Sequence, residues 1–97
     1  MSKGYWITAY RQISDLHKLA AYAKLAPLAI APFGGRYIVR GTPAAAFEAG
    51  LKERIVISEF PSMEKAIAAY GGPAYKEALH VLGDAAVRDI RIIEGLE

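Results

Sequence analysis

Two glycine breaks, Gly34-Gly35 and Gly41, bracket a strand-sized phrase, Arg36-Tyr37-Ile38-Val39-Arg40, with an arginine at each end. Eighteen residues after Gly41, Glu59-Phe60-Pro61-Ser62 marks a place where a strand stops and a helix starts. These phrases fix where extended backbone must begin and end. Glycine before a strand ends a helix, and serine before an apolar-periodic run accepts an orphan amide hydrogen of the first helical turn.

The remaining elements fall between those marks. Residues 4–13, Gly-Tyr-Trp-Ile-Thr-Ala-Tyr-Arg-Gln-Ile, are rich in β-formers and lack a helical period, which predicts a strand. Ser14 or Asp15 can cap the helix that follows. Leu16, Leu19, Ala20, Ala23 and Ile30 recur along it at helical spacing. Pro27 should kink this helix, and Pro32 with Gly34-Gly35 should end it. Residues 36–40 form the second strand. Residues 42–53 could be a loop, a hairpin arm or a short helical turn, with Ala49-Gly50 as the turn itself.

Arg54 to Phe60 is the third strand and the most apolar one. Ser62 caps a helix whose first turn holds Glu64, and Gly71-Gly72-Pro73 breaks it. Pro73 suits the first position of a new helix, expected to run to about Val87, and Arg88–Glu94 is the last strand. The order is β-α-β-β-α-β, the ferredoxin-like split βαβ arrangement, in a single α+β domain over residues 1–97 with a four-stranded antiparallel sheet. Its first and third strands should be central, since both are apolar on each face.

Helices cover only one face of such a sheet. At 54% hydrophobic residues, the chain carries more apolar surface than a 97-residue domain readily hides, although abundant alanine accounts for part of it. A second copy of the chain is the expected cover for the other face, giving a homodimer.

Composition removes several function classes. Twelve basic and ten acidic residues lie scattered, with no basic stripe, so nucleic acid is not an expected partner. Without cysteine there is no disulfide, zinc-thiolate site or thiol catalysis. The longest uncharged run, Leu25–Gly35, is about half a membrane span. Arg11 and Asp15 interrupt the N-terminus, so neither a membrane segment nor a signal peptide is expected, and a cytoplasmic location is.

No metal motif, nucleophile elbow or phosphate loop is present, so no cofactor is expected. Gly34-Gly35 leads into a strand rather than a helix, and Pro73 removes an amide that would bind an anion.

The phrases together resemble the domain-of-unknown-function 1330 family. The resemblance rests on Gly4-Tyr5-Trp6-Ile7, Gly34 to Gly41, Glu59-Phe60-Pro61-Ser62, Pro73-x-Tyr75 and Ile93-Glu94-Gly95, in this order. It implies membership of the dimeric α+β barrel group, in which two ferredoxin-like sheets pack face to face. The wider group includes cofactor-free monooxygenases, haem-degrading enzymes and ligand-binding modules. The family implies no particular reaction, so no catalytic residue carries over. This chain departs from the family pattern with Gly72-Pro73-Ala74-Tyr75 for Ser-Pro-Glu-Tyr, and with Leu82 for an arginine of the last helix. If those polar positions line a family pocket, this chain lacks part of it.

Candidate site residues follow from residue chemistry. Arg36 and Arg40 share a strand face by two-residue alternation. A hairpin symmetric about residues 47 and 48 sets Arg36 opposite Glu59 and Arg40 opposite Ile55. Arg36 and Glu59 then form a cross-strand ion pair, or else Arg36 or Arg40 stands at a pocket mouth where its guanidinium grips a carboxylate or enolate. His17 reads as a surface residue. His80, one turn on from Lys76, could face a cavity between helix and sheet, and histidine suits proton transfer near neutral pH. A pocket walled by Trp6, Tyr22 and His80 is expected where the Pro27 kink leaves a gap.

The expected function is to bind, or turn over, a small organic molecule in that cavity, through Trp6, Tyr22, Arg40, Glu59 and His80. An enzyme would use His80 or Tyr22 as its acid–base group and Arg40 for anion stabilisation. The alternative is a non-catalytic dimeric structural or accessory module.

Overall fold

A computed structural model describes residues 2–97. The elements are β1 (Gly4–Ile13), α1 (Leu16–Ile30), a 3-10 turn (Ala31–Phe33), β2 (Arg36–Gly41), β3 (Ile55–Phe60), α2 (Met63–Gly71), α3 (Pro73–Leu82) and β4 (Ala86–Glu94). The strands form one sheet in the order β2-β3-β1-β4, every neighbouring pair antiparallel. The first and third strands are central, as their sequences require.

The caps explain the boundaries. Of the two candidates, Asp15 is the one that caps α1, its carboxylate accepting from the amides of His17 and Lys18 at 3.0 Å each. Those amide bonds, to Lys18 first, hold its pKa below the usual aspartate value. Ser62 caps α2 through the Lys65 amide at 3.2 Å. Pro27 lies inside α1, which continues past it to Ile30.

Two stretches differ from expectation. The last helix ends at Leu82 rather than near Val87, because Gly83 takes φ 55° and turns the chain. Ala85 is then fully buried, its carbonyl accepting from the Ser14 amide at 2.7 Å, and β4 starts at Ala86. Residues 42–53 form neither helix nor strand. Their one tight turn is closed by the Gly50 amide on the Phe47 carbonyl at 2.9 Å, one residue earlier than read from the sequence.

The sheet has two unlike faces. Along β1 and β3, Trp6, Thr8, Tyr10, Val56, Ser58 and Phe60 are buried beneath the helices. The alternate residues, including Tyr5, Ile7, Ala9, Ile55 and Ile57, are half-buried on a face that carries no helix. Under the helices, Trp6 anchors an aromatic cluster with Phe60, Tyr75 and Tyr70 at centroid distances of 5.1, 4.9 and 5.7 Å. Its indole N–H donates to the Ala66 carbonyl at 2.7 Å. Leu82, standing where the family resemblance leads one to expect arginine, is core.

Candidate functional site

Beside that aromatic cluster the packing leaves an internal space. A cavity of about 30 Å³ lies between the helix-covered face of the sheet and α1. That exceeds the roughly 10–15 Å³ one water needs, so the space is real but small. Alternation in β1 sends Trp6, Thr8 and Tyr10 into it. β3 adds Val56 and Ser58, β2 adds Tyr37, and helical spacing brings Leu19, Tyr22 and Ala23 from α1. Arg54, just before β3, and Arg88 of β4 complete the wall.

Arg88 organises the polar side. It donates through Nη1 to the Tyr22 hydroxyl at 3.0 Å and through Nη2 to the Tyr75 hydroxyl at 3.4 Å. The two hydroxyls are 2.6 Å apart. The guanidinium also lies over the Tyr22 and Tyr10 rings, 4.9 and 5.6 Å from their centroids, where the ring quadrupole favours a cation. Arg54 differs, because its Nε is buried and has no hydrogen-bond partner.

Burial, and after it the neighbouring Tyr75 hydroxyl, pushes Tyr22 well above the usual tyrosine pKa. Burial does the same to Tyr37. Both hydroxyls therefore stay protonated near neutral pH and act as hydrogen-bond donors rather than bases.

The residues singled out from sequence separate in space. Trp6 and Tyr22 both line the cavity. Arg40 is exposed and lies 5.5 Å from the centroid of the Tyr37 ring, one of the cavity walls. Arg36 and Arg40 do not share a face. A bulge between Tyr37 and Val39 leaves Arg36 opposite Glu59 but moves Arg40 opposite Val56 instead of Ile55.

Glu59 lies on the far face of the sheet from the cavity, since its neighbour Ser58 points in. There its carboxylate accepts from Arg36 Nη2 and Nε at 2.9 and 3.1 Å, from the Tyr5 hydroxyl at 3.2 Å and from Lys3 at 3.4 Å. The Arg36 bonds lead in holding its pKa below the usual glutamate value. The buried stripe of α3, Tyr75, Ala78 and Leu82, leaves His80 exposed on the helix's outer side, away from the cavity. His80 stands in the last turn of α3, where a basic side chain suits the helix dipole.

Arg54, Arg88, Tyr10, Tyr37, Thr8 and Ser58 are cavity residues that the sequence reading did not single out. For four of them a signal exists. Thr8, Ser58 and Arg88 are polar residues in the apolar register of their strands, and Arg54 opens the segment read as the third strand in register with Val56 and Phe60. Among the described residues no group of three His, Asp or Glu side chains is placed to hold a metal ion. Among the same residues no helix is long and apolar enough to cross a membrane.

A model of the family described as "Domain of unknown function (DUF1330)" matches residues 3–96. No protein of curated function matches the sequence. Solved structures do match in fold. A protein of unknown function from Rhodopseudomonas palustris has 20% identity and a TM-score of 0.70, with 99% of this chain and 84% of that one covered. SnoaB, a cofactor-independent oxygenase from Streptomyces nogalater, has 8% identity and a TM-score of 0.69, with 100% and 96% covered. A dimeric ferredoxin-like protein of unknown function from Thermobifida fusca has 12% identity and a TM-score of 0.55, with 97% and 90% covered. The fold is ferredoxin-like.

Proposed function

Taking as premise that the chain belongs to the DUF1330 family, we propose that it is a homodimeric protein that binds a small organic molecule between its sheet and α1. One observation carries this reading: side chains from all four strands and α1 converge on a space left unfilled beside an otherwise dense aromatic core. Apolar walls with a few convergent polar groups are the usual make-up of a ligand site.

Dimerisation is supported by the open face of the sheet, where Ile7, Ile57 and the 57%-exposed Ile93 have no helix over them. The Thermobifida fusca neighbour, described as dimeric, has the same fold. A partner's sheet laid on this face would bury it.

The cavity favours holding a ligand over abstracting a proton from it. Its titratable side chains are tyrosines and arginines, and burial holds Tyr22 and Tyr37 protonated near neutral pH, so it supplies donors and positive charge rather than a base. In this reading Tyr22 is a donor to ligand oxygen, Arg40 stands outside the Tyr37 wall, and neither His80 nor Glu59 takes part.

Native mass spectrometry of gently purified protein tests the proposal. The expected species is a dimer carrying a reproducible small-molecule adduct. Ala23→Phe, which fills the cavity from α1, is expected to stay dimeric and lose the adduct. A bare wild-type dimer would leave the accessory-module reading, and a monomer would remove the dimer itself.

A further inference from the structure

We infer that the ligand of this cavity is an organic anion, a carboxylate or an enolate, received by Arg54 and Arg88. This deepens the small-molecule reading above and rests on it. Two guanidinium groups, permanently charged, wall one cavity of about 30 Å³. Among the described residues neither has a carboxylate within 4.0 Å.

Of the acids adjoining this cavity in sequence, Glu53, beside Arg54, is exposed and pairs with neither arginine, and the other two are engaged elsewhere. Asp89, next to Arg88, pairs with Arg91 at 3.1 Å and Arg11 at 3.6 Å. Glu59, next to Ser58, pairs with Arg36 and Lys3 across the sheet. The cavity is thus positive and lacks its counter-charge. A half-buried cation without a carboxylate partner is costly to hold away from water, and here the partner is supplied from outside.

The donors are distributed to suit an anion's oxygens. Arg88 spends its two terminal nitrogens on Tyr22 and Tyr75, so it contributes charge and fixes the tyrosines. Arg54 keeps a buried, unused Nε–H. In the tyrosine pair one hydroxyl donates to the other. Tyr75 does not reach the cavity wall, so with Tyr75 donating to Tyr22, the Tyr22 proton is free to point inward. Thr8, Ser58 and Tyr37 add hydroxyls around the same space. A carboxylate head matches this volume. The organic body needs the half-buried Leu19 and Tyr37 walls to give way or must extend past them.

The test is isothermal titration calorimetry at pH 7 with matched pairs, benzoate against benzamide and acetate against acetamide. Each pair differs in charge and little in shape. A hydrogen bond to a charged group is worth enough to predict benzoate at least about tenfold tighter than benzamide. Arg54→Gln is expected to cut that ratio to about threefold or less, provided circular dichroism shows it folded. The wild-type ratio decides the matter if it is not.

Equal binding of benzoate and benzamide would overturn the anion while leaving the small-molecule site standing. No binding of any probe, with an adduct still present in native mass spectra, would overturn it in the same way. No binding and no adduct would remove both readings.

Discussion

Trp6→Ala is expected to lower the unfolding free energy by about 3–5 kcal/mol, the usual cost of truncating a large buried aromatic. Trp6 is 3% exposed and touches three other rings, so nothing nearby can collapse into the space without breaking another contact. The indole also holds the Ala66 carbonyl of α2 at 2.7 Å, tying that helix to the central strand. In a domain of this size, 1 kcal/mol moves Tm by roughly 4–8 °C, so a fall of at least about 12 °C is expected. Thermal circular dichroism at one fixed protein concentration measures it, since the proposed dimerisation would make Tm depend on concentration. A fall under about 4 °C would mean that the cluster is not the core of this fold.

Gly4→Ala is expected to cost nearly as much, for the opposite reason. A Cβ at Gly4 would sit 2.6 Å from the Ser62 carbonyl oxygen and 2.7 Å from the Met63 Cα. Both are backbone atoms at the start of α2, so relief requires moving the helix off the sheet rather than turning a side chain. Overpacking of this kind costs typically 1–3 kcal/mol, and backbone clashes belong at the upper end. Gly71→Ala is the control. A Cβ there meets nothing within 4 Å, and the change should be neutral or stabilise by up to about 1 kcal/mol. If the two variants melt together, the close approach of β1 and α2 is not real.

The fold was largely legible because its punctuation is local. Gly34-Gly35, Gly41, Ser62 and Gly71-Gly72-Pro73 act within a turn of where they stand, and the elements begin and end beside them. The cross-strand partner of Arg36 was legible as well, since the hairpin sets it.

What failed depended on tertiary packing. The bulge after Tyr37 has no glycine to announce it, yet it reverses the face of Arg40. Ala85 and Ala86 are good helix formers, and only the turn at Gly83 and the burial of Ala85 against the Ser14 strand end take them out of α3.

The site was read less well than the fold. The stripe of Tyr75, Ala78 and Leu82 already excludes His80 from the covered side, so periodicity argued against giving it a cavity. Arg88 stands in register with Ile90 and Ile92 and was visible as a charge on an apolar face. Arg54 carried the same signal, a charge opening the segment read as the third strand and in register with Val56 and Phe60, although the strand itself begins one residue later at Ile55.

The central claim is that this cavity takes an anion at Arg54, and the guanidinium Nε–H of Arg54 can report it directly. We would follow the arginine Nε–H resonances by ¹H–¹⁵N NMR while adding benzoate. The Arg54 signal should move and become protected from exchange as its empty Nε–H gains an acceptor. Arg36, already held by Glu59 on the opposite face, should stay in place. An Arg54 resonance that does not respond at the highest benzoate concentration would contradict the account.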